Sequence, residues 1–298
     1  MHCDVWNGFI FINLDREPRQ TLREFLGPMV TALDAYPFEK LTERYEWVAN
    51  NNSNWKIFAD ASRSTTTCRP CTPQQVPPEV RVPNAGFTCA HFQLDGPHRV
   101  VSTAGTRRWL LPPEYMYPIE LATQSGLVGP WRTPDIGELP PGLNPPGNIE
   151  PWGISNFQIF PPNIEILIYG GWYLLYRYWP TSHNTHRFEA FTYFSPARTV
   201  RERIEHEVAS VVLKEFALQD AGMLGGGTQA ALETGVVDAF PLNDQEILVR
   251  HLHKAVVDWV DDYQRETTGG GGHRHVRSDV AQRVCRTRGV RSRVVPGH

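Results

Sequence analysis

Between Phe87 and Phe194 the chain is a succession of short apolar runs, several joined by links that permit little except reversal. The runs are GFTCAHFQL, HRVVST, SNFQIF, IEILIYGG, WYLLYRYW and RFEAFTYF. Asp95-Gly96-Pro97, Pro161-Pro162-Asn163 and Thr181-Ser182-His183-Asn184 stand at the junctions, and such residues are turn chemistry. Parallel strands need a crossover of about a dozen residues or more, so short links predict antiparallel neighbours. In the last run Phe188, Ala190, Thr192 and Phe194 fall on one face, with Arg187 and Glu189 on the other.

Either side of this region the patterning differs. WNGFIFINL (6–14) reads as one apolar strand, and a helix is predicted near Thr21 to Leu33. After Pro196 the period becomes helical. Ile204, Val208, Val212 and Phe216 recur every four residues, predicting a helix over Val200 to Asp220 with that stripe inward. A second long helix is predicted from NDQE, where Asn243 can cap and Glu246 can reach back. Its stripe is Leu248, Leu252, Val256, Val260 and Tyr263, and it ends near Glu266. Residues 133–151 read as a proline-rich loop, and the glycine-rich basic tail over 267–298 reads as disordered. The predicted class is α+β: an antiparallel sheet covered by a long C-terminal helix.

Composition narrows the function. With 41% hydrophobic and 20% charged residues and a formal net charge of -3, the chain suits a globular enzyme. It offers no basic footprint for nucleic acid or anionic lipid. No stretch reaches the roughly 18 apolar residues of a membrane span, and the N-terminus lacks a signal peptide's charged-then-apolar order. The 5 cysteines are scattered and odd in number, so no disulfide framework is implied. A cytoplasmic protein is the expectation. The aromatic-rich stretch from Tyr169 to Phe194 suits either a cavity lining or a sheet core.

Few polar residues stand out as chemistry. Asp220 continues the Ile204–Phe216 stripe by one further step, so its carboxylate points inward and needs a partner: a cap, an ion pair or a metal. Cys68 and Cys71 have CxxC spacing without the further ligands a zinc site requires. Cys89-Ala-His91 is expected in the core of a strand, and His183 and His186 in a solvated turn. His251 and His253 point to different helix faces. Gly225-Gly226-Gly227 follows no strand, so it is no phosphate loop, and a flexible break is expected there.

Several stretches together resemble a known family. They are HCDVWNGFIFINLD, YEWVANNNSNWKIFADA, GPHRVV, FQIFPPNIEIL, LQDAGMLGGGTQAALETG and FPLNDQEILVRHLHKAVVDWV. Over about residues 2 to 266 the chain is similar to the catalytic domain of Rieske non-haem iron ring-hydroxylating oxygenases, large (α) subunit, with NWK and QD…TQ the most specific matches. The resemblance implies a helix-grip (START/Bet v 1-like) catalytic domain over 1–266: a curved antiparallel sheet around a long C-terminal helix. It implies O2-dependent hydroxylation of an aromatic or related apolar compound at mononuclear Fe(II). The electrons come from NAD(P)H through a reductase or ferredoxin and a [2Fe-2S] Rieske cluster. It also implies a homotrimer or an α3β3 assembly. The iron is held by two histidines and a carboxylate, with open positions for dioxygen. That carboxylate maps onto Asp220, while Asn54, Trp55 and Asp60 belong to the framework just before the site.

Two departures matter. The family pattern after NWKIFADA is Tyr-His-x4-His, and here Thr67 and Thr72 occupy the positions of the two histidines. None of the 11 histidines has another five residues later. Reading codons 64 to 72 one base earlier restores His-x4-His for favourable wobble bases, so a frameshift is the expected origin. The [2Fe-2S] ligands are absent from the sequence as well. The chain is therefore expected to bind iron weakly and to turn over nothing. The competing reading is a non-catalytic helix-grip carrier of a hydrophobic small molecule.

Overall fold

The computed structural model describes residues 1–61, 89–104, 116–123, 125, 152–160, 164–169, 171–235, 242 and 246–268. The chain divides into two compact units, Met1–Ala230 and Ala231–His298.

The first unit is built on a seven-stranded sheet of order β3-β9-β8-β7-β6-β5-β4. The strands are β3 (Glu43–Asn51), β4 (Cys89–Asp95), β5 (His98–Ala104), β6 (Trp152–Ile159), β7 (Ile164–Ile168), β8 (Trp172–Pro180) and β9 (His186–Phe194). Every neighbouring pair is antiparallel, and for β4–β5, β6–β7, β7–β8 and β8–β9 the short links predicted it. The six runs found in the sequence are β4 to β9. Strand β3 was not anticipated, and it pairs with β9 along all 9 of its residues.

WNGFIFINL holds a turn rather than one strand. Asn7 and Gly8 both take positive φ, 48° and 84°, and separate β1 (His2–Trp6) from β2 (Phe9–Asn13). Two successive left-handed residues match the right-handed twist of a two-residue hairpin, and Asn-Gly is the sequence that adopts them. The helix expected near Thr21 is α1 (Leu22–Thr31), started by a reciprocal cap between Thr21 and Glu24. Gly27 breaks it with φ of 66°. An added Cβ there would lie 2.6 Å from the Asp95 carboxylate, which accepts from the Met29 amide at the restarted helix.

Both faces of the sheet are covered. On one, Leu26, Met29, Val30 and Leu33 of α1 pack with Val100, Phe157, Ile166 and Leu175. On the other, Ala209 and Leu213 of α4 (Val200–Met223) pack with Trp172, Leu174 and Phe194. The predicted α4 stripe is displaced by one position. Ile204 is 40% exposed, whereas Glu205, His206, Ala209, Ser210, Leu213 and Ala217 are buried. The polar members of that face are each partnered. Arg201 donates to Glu205, His206 meets Glu43, and Ser210 bonds Thr192. Burial here follows hydrogen bonding, which an apolar count does not see.

The glycines after α4 do not break the chain. Leu224–Gln229 is a π-helical turn leading into α5 (Ala230–Glu233). A short helix, α3 (Pro118–Thr123), precedes β6. In the second unit α6 (Ile247–Thr268) buries Leu248, Val249, Leu252 and Ala255, but Val260 and Tyr263 are 49% and 68% exposed, so the predicted stripe stops short of the helix end. The Asn243 cap, the loop over 133–151 and residues 269–298 lie outside the described residues. No helix among the described residues is long and apolar enough to cross a membrane.

Candidate functional site

The site is approached from the short connection between β3 and α2 (Trp55–Ala61), residues Asn51 to Asn54. His186, the first residue of β9 and almost fully buried, holds it from one side. Its Nδ1 donates to the Ser53 carbonyl at 2.7 Å, which leaves Nε2 to accept from Asn51 Nδ2 at 3.2 Å. Burial pushes the His186 pKa down and the Ser53 contact only partly opposes it, so the ring is neutral and fully used. The expected solvated turn therefore applies to exposed His183, not to His186. Asn54 Nδ2 donates to the His183 carbonyl at 2.6 Å.

Asn54 is also the N-cap of α2, its Oδ1 accepting from the Lys56 amide at 3.0 Å. Its own amide donates to Gln229 Oε1 at 2.8 Å. The two sequence motifs NWK and QD…TQ are thus tied by a direct hydrogen bond. Gly225 adds a second contact, since a Cβ there would sit 3.1 Å from the Asn52 carbonyl oxygen.

Helix α2 turns its aromatic residues to the sheet. Phe58 packs against Phe188 at 4.6 Å, with Tyr178 and His186 beside it, and Trp55 stacks on Phe160 at 5.6 Å. Burial lowers the Lys56 pKa, with Asp60 opposing. Further along the same face Trp47, Tyr176 and Phe188 form an aromatic group. The Trp47 indole N–H finds no hydrogen-bond partner among the described residues.

This face also carries a polar row that sequence reading did not single out. Register places Arg99, Gln158, Glu165 and Tyr176 side by side on β5 to β8. Arg99 Nε donates to Gln158 at 2.7 Å, while Asn156 and Tyr178 donate to Glu165 at 2.5 and 2.7 Å. Arg99, Gln158 and Glu165, with Trp55, Phe160 and Tyr178, line a cavity of about 10 Å³, the space of one water. Alternation along β6 and β7 was the available signal, since Asn156, Gln158 and Glu165 interrupt otherwise apolar strands.

Asp220, on the last turn of α4, is half-buried. Burial lifts its carboxyl to about 6, and its charge is felt by the buried Tyr176 hydroxyl, whose own pKa stands well above the usual value, chiefly from desolvation. No hydrogen bond or ion pair from the described residues reaches the carboxylate. An acid desolvated without a partner fits a cation. The rest of the donor set does not. Among the described residues no three His, Cys, Asp or Glu side chains converge on a metal. Thr67 and Thr72, like Cys68 and Cys71, lie outside the described residues, and threonine hydroxyls are poor ligands for Fe(II). The residues as written do not complete the two-histidine, one-carboxylate set. Cys89 does fall on a strand, but His91 is half-exposed on the edge strand β4 rather than in the core. His251 is half-buried and His253 exposed on α6.

The likenesses to known proteins agree with this layout. The family model "Ring hydroxylating alpha subunit (catalytic domain)" matches residues 38–262. A quaternary ammonium Rieske monooxygenase, CntA, solved with an inhibitor, superposes with a TM-score of 0.58 at 12% identity, covering 87% of this chain and 60% of that one. Naphthalene 1,2-dioxygenase from Rhodococcus sp., bound to indole, gives 0.51 at 15% identity over 86% of this chain and 65% of its own. The chain spans about three fifths of the length of these oxygenases. No curated protein sequence matches it. At such identities the superpositions establish the fold, the helix-grip α+β architecture of Rieske oxygenase catalytic domains. The family model covers well over half of the chain, and the protein belongs to the catalytic domains of ring-hydroxylating oxygenase α subunits.

Proposed function

We propose that this chain is the catalytic domain of an oxygenase that hydroxylates an aromatic or related apolar compound with O2 at mononuclear Fe(II), and that it is impaired as written. The observation that carries the reading is the Asp220 carboxylate, desolvated and without a partner from the described residues, on the sheet face that carries Trp47, Tyr176 and Phe188. A reductase or ferredoxin and a [2Fe-2S] domain would deliver the electrons, in a homotrimer or an α3β3 assembly, in the cytoplasm. Thr67 and Thr72 in place of two imidazoles account for the impairment, and a frameshift over codons 64 to 72 accounts for the threonines.

Single-turnover assays with a supplied reductase and Rieske donor test the activity. No product is expected from the chain as written, and product from it would overturn the impairment. Sequencing the gene through codons 55 to 75 tests its origin, because wobble bases that cannot encode His-x4-His in the shifted frame end the frameshift account. The carrier reading makes a different forecast. It requires metal-independent, saturable binding of an aromatic probe that Asp220→Asn leaves unchanged.

A further inference from the structure

We propose that the cavity beneath Trp55 is a hydration site: one water is held by the Arg99–Gln158–Glu165 row, and the Trp55 ring is the lid that separates it from bulk solvent. Neither Asp220 nor any metal enters into it.

The size and charge of the cavity select the ligand. At about 10 Å³ it admits one water and nothing larger. Arg99 and Glu165 are both buried. The guanidinium is always a cation, and both Glu165 oxygens accept, Oε1 from Asn156 Nδ2 and Oε2 from Tyr178 Oη. With one charge of each sign in the lining, neither an anion nor a cation is favoured over a neutral dipole.

The lining also brings the groups that an internal water needs, since such a water makes about three hydrogen bonds. A guanidinium carries five N–H donors, and Arg99 Nε gives one of them to Gln158 Oε1 at 2.7 Å. Gln158 is thereby oriented with its oxygen toward Arg99 and its Nε2 as the donor end. Register sets Gln158 between Arg99 and Glu165, on strands spaced about 4.8 Å apart. A water accepts from the N–H groups of this row and donates to the carboxylate, so one molecule bridges the two charges. Such bridging offsets part of the cost of burying them.

The sheet forms the floor. Among the lining residues Trp55 alone comes from a helix, while the others lie on β5 to β8 or, for Phe160, directly after β6. Trp55 stacks on Phe160 with the ring planes 26° apart. Each ring also meets a cation: Lys56 Nζ lies 5.4 Å from the Trp55 centroid, and Arg99 Cζ 5.9 Å from that of Phe160. These contacts hold the lid closed, and the water leaves when Trp55 moves.

High-resolution crystallography and solution NMR of the full chain test the site. One ordered water is expected within about 2.7–3.2 Å of polar atoms on at least two of Arg99, Gln158 and Glu165. A water cross-peak is expected at the Gln158 side-chain amide, whose signal is assigned by its absence from Gln158→Met. Magnetic relaxation dispersion reads the residence time. Trp55→Ala is expected to shorten it about tenfold or more, because escape no longer waits on a local opening, and Trp55→Phe to keep it. Phe160→Leu, which removes the ring under the lid, replaces Trp55→Ala should that variant not fold. A cavity without ordered water overturns the site. Bromide or rubidium found there by anomalous scattering after soaking overturns the neutral ligand. A residence time unchanged in Trp55→Ala overturns the lid.

Discussion

The proposed iron site rests on the desolvation of a single carboxylate. Asp220 is lifted from 3.8 to about 6 by burial, which at about 1.4 kcal/mol per unit is at most roughly 3 kcal/mol of penalty on its ionised form in the metal-free chain. Asp220→Asn is therefore expected to raise the metal-free chain's stability by about 1–3 kcal/mol above pH 7 in urea denaturation; a loss of stability would mean that the carboxylate has a partner. His98 and His186 act in the other direction. His98 donates from Nε2 to the Phe25 carbonyl and accepts at Nδ1 from the Phe160 amide, so like His186 it is buried as the neutral ring. Burial lowers both pKa values below 6.5, so near and below that pH the unfolded chain binds more protons than the folded one. Stability is complete above about pH 6.5 and falls as pH drops toward the folded values. Denaturation midpoints at pH 7.5 and 5.5 check this: no loss at the lower pH beyond that of a His98→Asn/His186→Asn variant would contradict it.

Among the elements, the π turn and β3 show where local pattern stops being informative. Gly225 and Gly226 are neighbours of the same type in the same turn, yet a Cβ at Gly226 meets nothing within 4 Å while one at Gly225 meets the Asn52 carbonyl at 3.1 Å. Replacing glycine with alanine in a helical stretch gains about 1 kcal/mol when there is room. Gly226→Ala should therefore raise the melting temperature, and Gly225→Ala should not, because Asn52 adjoins the clamped Ser53–Asn54 segment and cannot give way. Equal gains at both positions would show that the connection is slack. Read as sequence, the glycines suggest only a break, since nothing local announces Asn52 as a neighbour. Strand β3 was missed for a related reason: its partner β9 lies well over a hundred residues away, and no turn chemistry links them. The inward face of α4 was displaced because His206 and Ser210 are buried against partners on other elements, and Glu205 is held by Arg201 one turn earlier on the same helix. Glu43, for instance, is held below the usual carboxylate range despite its own burial by bonds from Tyr45, the Ala197 amide and His206.

For the molecule as a whole, the antiparallel core of β4 to β9 and the existence of both long helices were legible, because turn residues and helical period are local signals. The proposed centre is less legible. Asp220 is singled out by a helical stripe that lies one position off the buried face, and its proposed role comes from the resemblance in QD…TQ. The link from QD…TQ to NWK could not be read, because Gln229 and Asn54 meet only in three dimensions. The same holds for the buried row of Arg99, Gln158 and Glu165, whose charges are spread over three strands. Replacing Glu165 takes the acceptor from the buried Asn156 amide and Tyr178 hydroxyl, at about 1–3 kcal/mol each. Glu165→Leu should accordingly lower stability by that order in chemical denaturation, and a neutral result would mean that the row is solvated.

The proposed ferrous site is built around Asp220 and lacks two imidazoles. Iron stoichiometry tests it most directly, measured anaerobically on the chain as written, on Thr67→His/Thr72→His, and on that variant with Asp220→Ala. Well under one iron per chain is expected first, then close to one, then a return to the first value. Iron near one per chain in the first protein, or binding in the second that ignores Asp220→Ala, would contradict it.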